Sequence, residues 1–157
     1  MGSSIATFSY LLFLIGLIIG RFSIGWALNH QSEQFWIRAG GSIGGVGFVF
    51  GLIISTAIVN KYQTLSYVIA FFGFFLAGLG SSAMSPLFFS IAGRLSDGKN
   101  ALAVAQLSFI NTVAIFVAKT ILAWVVQLTS ITVALVITGL IMSLLLYFGR
   151  IGSNQRV

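Results

Sequence analysis

Apolar residues run along this chain in five long blocks, and the polar residues between them come in short clusters. Each block reaches or exceeds the ~20 residues that a helix needs to cross a hydrocarbon core of ~30 Å. The pattern predicts helices over about 4–28, 36–59, 65–94, 101–127 and 131–150. The breaks are NHQSEQF at 29–35, a loop at 60–64 carrying Lys61, a charged turn at 95–100 with Asp97 and Lys99, and an uncharged turn at 128–130. Residues 151–157 make a polar tail. The expected fold class is an all-α membrane protein, a single five-helix transmembrane bundle.

The block at 65–94, LSYVIAFFGFFLAGLGSSAMSPLFFSIAGR, is the one around which the others are organised. Its only charge is Arg94, at its end. As one helix it would extend about 45 Å, which leaves length for tilt or a bend. The chain's single proline, Pro86, lies inside it, with Gly73, Gly78, Gly80, Ser81, Ser82 and Ser85 close by. Proline removes a backbone donor, and small residues let neighbours approach. A kinked, tightly packed helix is expected, with Gly78, Gly80 and Pro86 supplying flexibility. In the block at 36–59, Gly40, Gly44, Gly47, Gly51 and Ser55 follow at intervals of four, three, four and four. These five share one helix face. In lipid, where the hydrophobic effect does not drive helices together, such a face promotes close backbone packing.

Composition strengthens the membrane assignment. The chain is 58% hydrophobic and 6% charged, whereas a soluble domain carries about 25% charged residues. There is no cysteine, so disulfide and thiolate chemistry are excluded. The net charge of +6 is scattered singly at the ends of apolar blocks and is not a nucleic-acid signal. Arg21, Arg38, Arg94, Lys99, Arg150 and Arg156 fall on one side of the membrane and Lys61 alone on the other; Lys119 lies within a block. Positive charge marks the cytoplasmic side, so the first loop, the third loop and the C-terminus are expected in the cytoplasm. Five spans then put the N-terminus outside, in a plasma (inner) membrane. The N-terminus lacks the charged region and cleavage site of a secretory signal. Five spans with an uncharged outer N-terminus suit a chain whose preceding helices are missing.

Three segments resemble the major facilitator superfamily of transporters. GLIIGRFSIGWALNHQSEQFWIRAGG (16–41) is similar to the helix-loop-helix that carries the family's cytoplasmic signature in its second half, with Gly20 and Arg21 where the family often has Gly-Arg. GLGSSAMSPLFFSIAGRL (78–95) is similar to the tenth helix, with its Gly-x-Gly, a proline six residues on and a basic end. The next helix is entered through a short charged turn and an alanine-rich segment, 101–105. Together they resemble the last five of the family's twelve helices. The resemblance implies alternating access, with a small-molecule substrate bound near the midplane between this part and a complementary N-terminal half. It places a cytoplasmic gate at Arg21, Asn29 and Arg94. Asn29 and His30 stand where the family has an acid and a base, which would weaken its loop ion pairs. Ala118 and Lys119 stand about where the eleventh helix often has Gly-Pro.

Lys119 is the one ionisable residue deep in an apolar block. Such residues are costly in lipid and point to function. Helical spacing puts Ser108, Thr112, Lys119 and Ala123 on one face with Ala101 and Ala105. Lys119 either meets an anionic substrate group or a counter-charge, or it snorkels towards the interface near Gln127. Gln106 and Asn111, off that face, suit interhelical hydrogen bonds. Ser81, Ser82 and Ser85 either line the pathway or satisfy backbone carbonyls freed by Pro86. Arg21 and Arg94 are otherwise solvated topology determinants.

The two acids, Glu33 and Asp97, and the lone His30 all lie in loops. No metal site, cofactor, proton relay or Ser-His-acid set is expected from them, and no enzyme. A different class of function is an accessory or assembly subunit that binds another membrane protein through the glycine face of the second helix. A non-functional remnant of a transporter is a third.

Overall fold

The computed structural model describes residues 2–28, 33–82, 84–94, 96 and 100–144. The helices are α1 (Gly2–Leu28), α2 (Glu33–Gly40), α3 (Gly47–Ile58), α4 (Gln63–Ser82), α5 (Met84–Arg94), α6 (Asn100–Leu128) and α7 (Ile131–Ser143). A π-helical turn, Gly41–Val46, joins α2 to α3. Among the described residues there is no strand. Among the described residues, four helical stretches are long and apolar enough to cross a membrane: Ser4–Ser23, Phe35–Ile58, Gln63–Arg94 and Asn100–Leu128. The fifth apolar helix, α7, has 13 residues. The expected extension to 150 lies outside the described residues. The chain is an all-α, multi-pass membrane protein.

The described residues of 1–84 and 135–144 form one unit, and those of 85–134 form another. The block at 65–94 therefore contributes to both. Pro86 falls in the first turn of α5, where a helix has no intrahelical use for the missing amide hydrogen.

In the first unit α4 is the central helix, with α1 packed on one face and α2, the π turn and α3 on another. Two sets of small residues make this possible. Gly78 lies against the backbone of Phe13 and Leu17 in α1. Gly16 in turn lies against the backbone of Phe75 and Leu79, and Gly20 against Ser82. Gly80 is about 200° away from Gly78 around the helix. It is pressed against Gly40 and Gly44. One and two heptads earlier on the same face, Gly73 meets Gly51, and Ser66 meets Ser55. Gly47 takes the side chain of Leu76. All five small residues of the second block thus face α4.

The π turn is a departure from the single α-helix expected over 36–59. The amide of Gly47 donates to Ser42 O, five residues back. The glycine intervals run slightly ahead of a 3.6-residue repeat and would drift off the interface. A turn holding more residues works against that drift. The widened turn is tightly enclosed: Gly44 lies between Gly80 and Met142, and Gly45 lies against the backbone of Ser143 in α7. Apolar packing continues from there, with Phe48, Leu52 and Ala77 buried together against Phe13, Phe74, Leu135 and Val136. The Phe48 and Phe74 rings meet edge to face, 5.1 Å apart.

A methyl group on Gly80 would collide with the backbone of both Gly40 and Gly44, whereas one on Gly73 would find its nearest neighbour, Gly51 Cα, at 3.6 Å. Gly80→Ala should therefore lower stability by about 2 kcal/mol, and Gly73→Ala should stay within about 0.5 kcal/mol of the parent. Equilibrium unfolding in mixed micelles measures both. Equal effects would contradict the packing described.

Candidate functional site

Ser108, Thr112 and Lys119 lie along one face of α6, in the second unit. None of the 29 residues of α6 is buried. Phe109, Phe116 and Trp124 are 71%, 74% and 67% exposed, so within this chain the helix is largely bare. Lys119 is itself exposed, and Ser108 half-buried. Thr112 Oγ1 donates to Ser108 O at 2.9 Å, and Thr120 Oγ1 to Phe116 O at 3.0 Å. Their protons are committed to the helix, and their lone pairs remain free to accept. The stripe thus offers an ammonium group and, about two turns away, hydroxyl acceptors. That set suits a solute carrying an anionic or carbonyl oxygen and a hydrogen-bond donor. On the opposite side, Ile110, Val113, Val117 and Ile121 line a shallow apolar groove.

Of the serines near Pro86, Ser81 Oγ donates to Gly78 O at 3.1 Å and Ser82 Oγ to Leu79 O at 2.6 Å. Both hydroxyls bind carbonyls of their own helix about two turns upstream of the proline. Ser82 is buried under Gly20 of α1. The side chain of Ser85 lies outside the described residues. Pro86 is exposed. Arg21 is exposed on α1, directly after Gly20, and Arg94 is exposed at the end of α5. They belong to different units. Asn29 and His30 lie outside the described residues. Gly78, Gly80, Gly40, Gly44, Gly47 and Gly51 are at the helix contacts already described. Among the described residues, no three His, Cys, Asp or Glu side chains come together, so none is assigned as a metal ligand.

Two features escaped the sequence reading. The first is a buried serine pair: Ser66 Oγ donates to Ser55 O at 2.9 Å, and the two hydroxyl oxygens are 2.9 Å apart. Ser55 therefore donates to Ser66, and each hydroxyl is used. Ser66 has one sequence signal, its seven-residue spacing from Gly73 and then Gly80. The second is a crevice of about 150 Å³ between α1 and α2. Leu79, Gly80 and Ser82 form its floor, Gly20 and Ser23 one wall, and Trp36, Ala39 and Ile43 the other.

Ser66→Ala should destabilise the chain by about 1 kcal/mol, the scale of interhelical hydrogen bonds in membranes. The loss should be smaller when Ser55 is already alanine, because the two hydroxyls form one network. A double-mutant cycle in mixed micelles checks the coupling, and strict additivity would count against the pair.

The chain is 28% identical over 134 residues to an uncharacterised MFS-type transporter of Yersinia pestis. The similar region covers 85% of this chain and 32% of that protein, so the chain spans about a third of the length of the curated relative it matches. No protein-family model and no solved structure matches the chain.

Proposed function

We propose that this chain is part of a transmembrane transporter of small solutes that works by alternating access. The similarity to an MFS-type transporter along most of the chain carries this reading. Its partner is a complementary N-terminal half, and the solute passes between the two. The glycine-packed first unit supplies a rigid body that could rock as a whole. Lys119, with Ser108 and Thr112, contacts the solute or a counter-charge on the other half. Arg21, Asn29 and Arg94 form the cytoplasmic gate. The N-terminus is outside and the C-terminus cytoplasmic, in the plasma membrane. The activity proposed is transport and not enzymatic catalysis.

An accessory subunit that docks through the glycine face of the second helix has a structural difficulty. That face is already occupied by α4, with Gly40 and Gly44 against Gly80 and Gly51 against Gly73. A non-functional remnant is separated from the transporter by experiment.

The absence of cysteine makes the chain a clean background for accessibility labelling. Ser108→Cys, Thr112→Cys and Lys119→Cys should react with a membrane-impermeant methanethiosulfonate at least about tenfold faster than Ile110→Cys, Val117→Cys and Ile121→Cys, since thiols react as thiolates and these form in water. A tag at Met1 should be reached from outside intact cells. Equal inertness of both faces would put the stripe in lipid and remove Lys119 from any pathway. A cytoplasmic N-terminus would overturn the orientation.

A further inference from the structure

We propose that the crevice between α1 and α2 binds one acyl chain of an anionic phospholipid, with the headgroup held at Arg21. This site is separate from the α6 stripe, and it rests on the crevice and the charge of Arg21, not on the gate role proposed above for that residue.

The first observation is where the crevice lies along the spans. Ser23, in one wall, lies five residues before the end of α1, and Trp36, in the other, three residues after the start of α2. The crevice therefore sits towards the ends of both helices that the polar 29–35 segment joins. Tryptophan favours the membrane interface.

The second is its chemistry. Gly20, Gly40 and Gly80 border it, and the other residues around it are mostly apolar. The hydroxyls that reach it are already used: Ser23 Oγ donates to Ile19 O at 2.8 Å and Ser82 Oγ to Leu79 O at 2.6 Å. A polar solute would give up its hydration there for no donor in return. Ordered water needs two to four polar partners, and Ser23 and Ser82 keep only acceptor lone pairs to offer it. A helix does not fit a space of about 150 Å³. A segment of hydrocarbon chain fits it and gives up no hydrogen bonds on entering.

The third is charge. Arg21 follows Gly20 directly and is exposed, about two turns before the end of α1. It lies within side-chain reach of a phosphate whose acyl chain enters beside Gly20, and arginine binds phosphate oxygens in a bidentate fork. The two ends of the site thus match the two ends of a phospholipid.

The test uses the full chain in nanodiscs of equal phosphatidylglycerol and phosphatidylcholine, with a trace of phosphatidylglycerol bearing a photoactivatable acyl chain. Label should map to residues around Trp36, Ala39 and Ile43. Native mass spectrometry should show phosphatidylglycerol retained over phosphatidylcholine by about fivefold, the preference one interfacial arginine supports. Ala39→Phe and Ser23→Phe, which fill the crevice from opposite walls, should each remove the bound lipid while the protein stays monodisperse. Arg21→Gln should keep the lipid and bring the preference close to one. Label spread evenly over the helices, or lipid retained by a well-folded filling variant, would overturn the site. Absence of a phosphatidylglycerol preference in the parent would overturn the role of Arg21. If neither filling variant folds, the position of the label in the parent decides.

Discussion

Backbone contact on two sides of α4 is the constraint on which the first unit depends. Helices in lipid gain nothing by hiding apolar surface from water, since lipid is as apolar as their side chains. Their association rests on close packing, and packing is closest where side chains are absent. Gly78 lets α1 touch α4, and Gly80, two residues on, lets the second span touch it from the other side. One side chain at either place would push a neighbour off. The aromatic contacts, the buried serine pair and the placement of α7 all follow from the approach those glycines permit.

The second unit is built differently. Its long helix α6 has no buried residue and no glycine. It carries the chain's one charge deep in an apolar block, Lys119, on a stripe with Ser108 and Thr112. Threonine protons there are turned back onto helix carbonyls, so the stripe presents a cation and acceptors. The two units thus differ in construction: the first is held by glycine contacts, and the second leaves its polar groups accessible.

Several features were legible in the sequence because they depend only on local order. Five apolar blocks state an all-α membrane chain, since a helix alone satisfies its own backbone in lipid. The intervals of Gly40, Gly44, Gly47, Gly51 and Ser55 state a small face on the second span, and the intervals of Ser108, Thr112 and Lys119 state a polar stripe on α6. Helical periodicity is enough for both. It was not enough for the π turn, which keeps the glycines of the second span against α4. Nor did it reveal Ser66, because a serine that completes a hydrogen-bonded pair looks, in sequence, like one that merely saves space.

What the sequence by itself determined is the class of protein, the approximate spans and the faces each helix would offer. What only the tertiary structure decided is which face meets which. The glycine face of the second span could have served another protein; it serves α4. Gly16 and Gly20 could have faced lipid; they meet Phe75, Leu79 and Ser82. The hydroxyls of Ser81 and Ser82 could have pointed into a pathway; they close on Gly78 and Leu79. Spacing along a helix sets the direction of a side chain about its own axis. The atoms waiting in that direction belong to another segment, and only the folded arrangement brings them there.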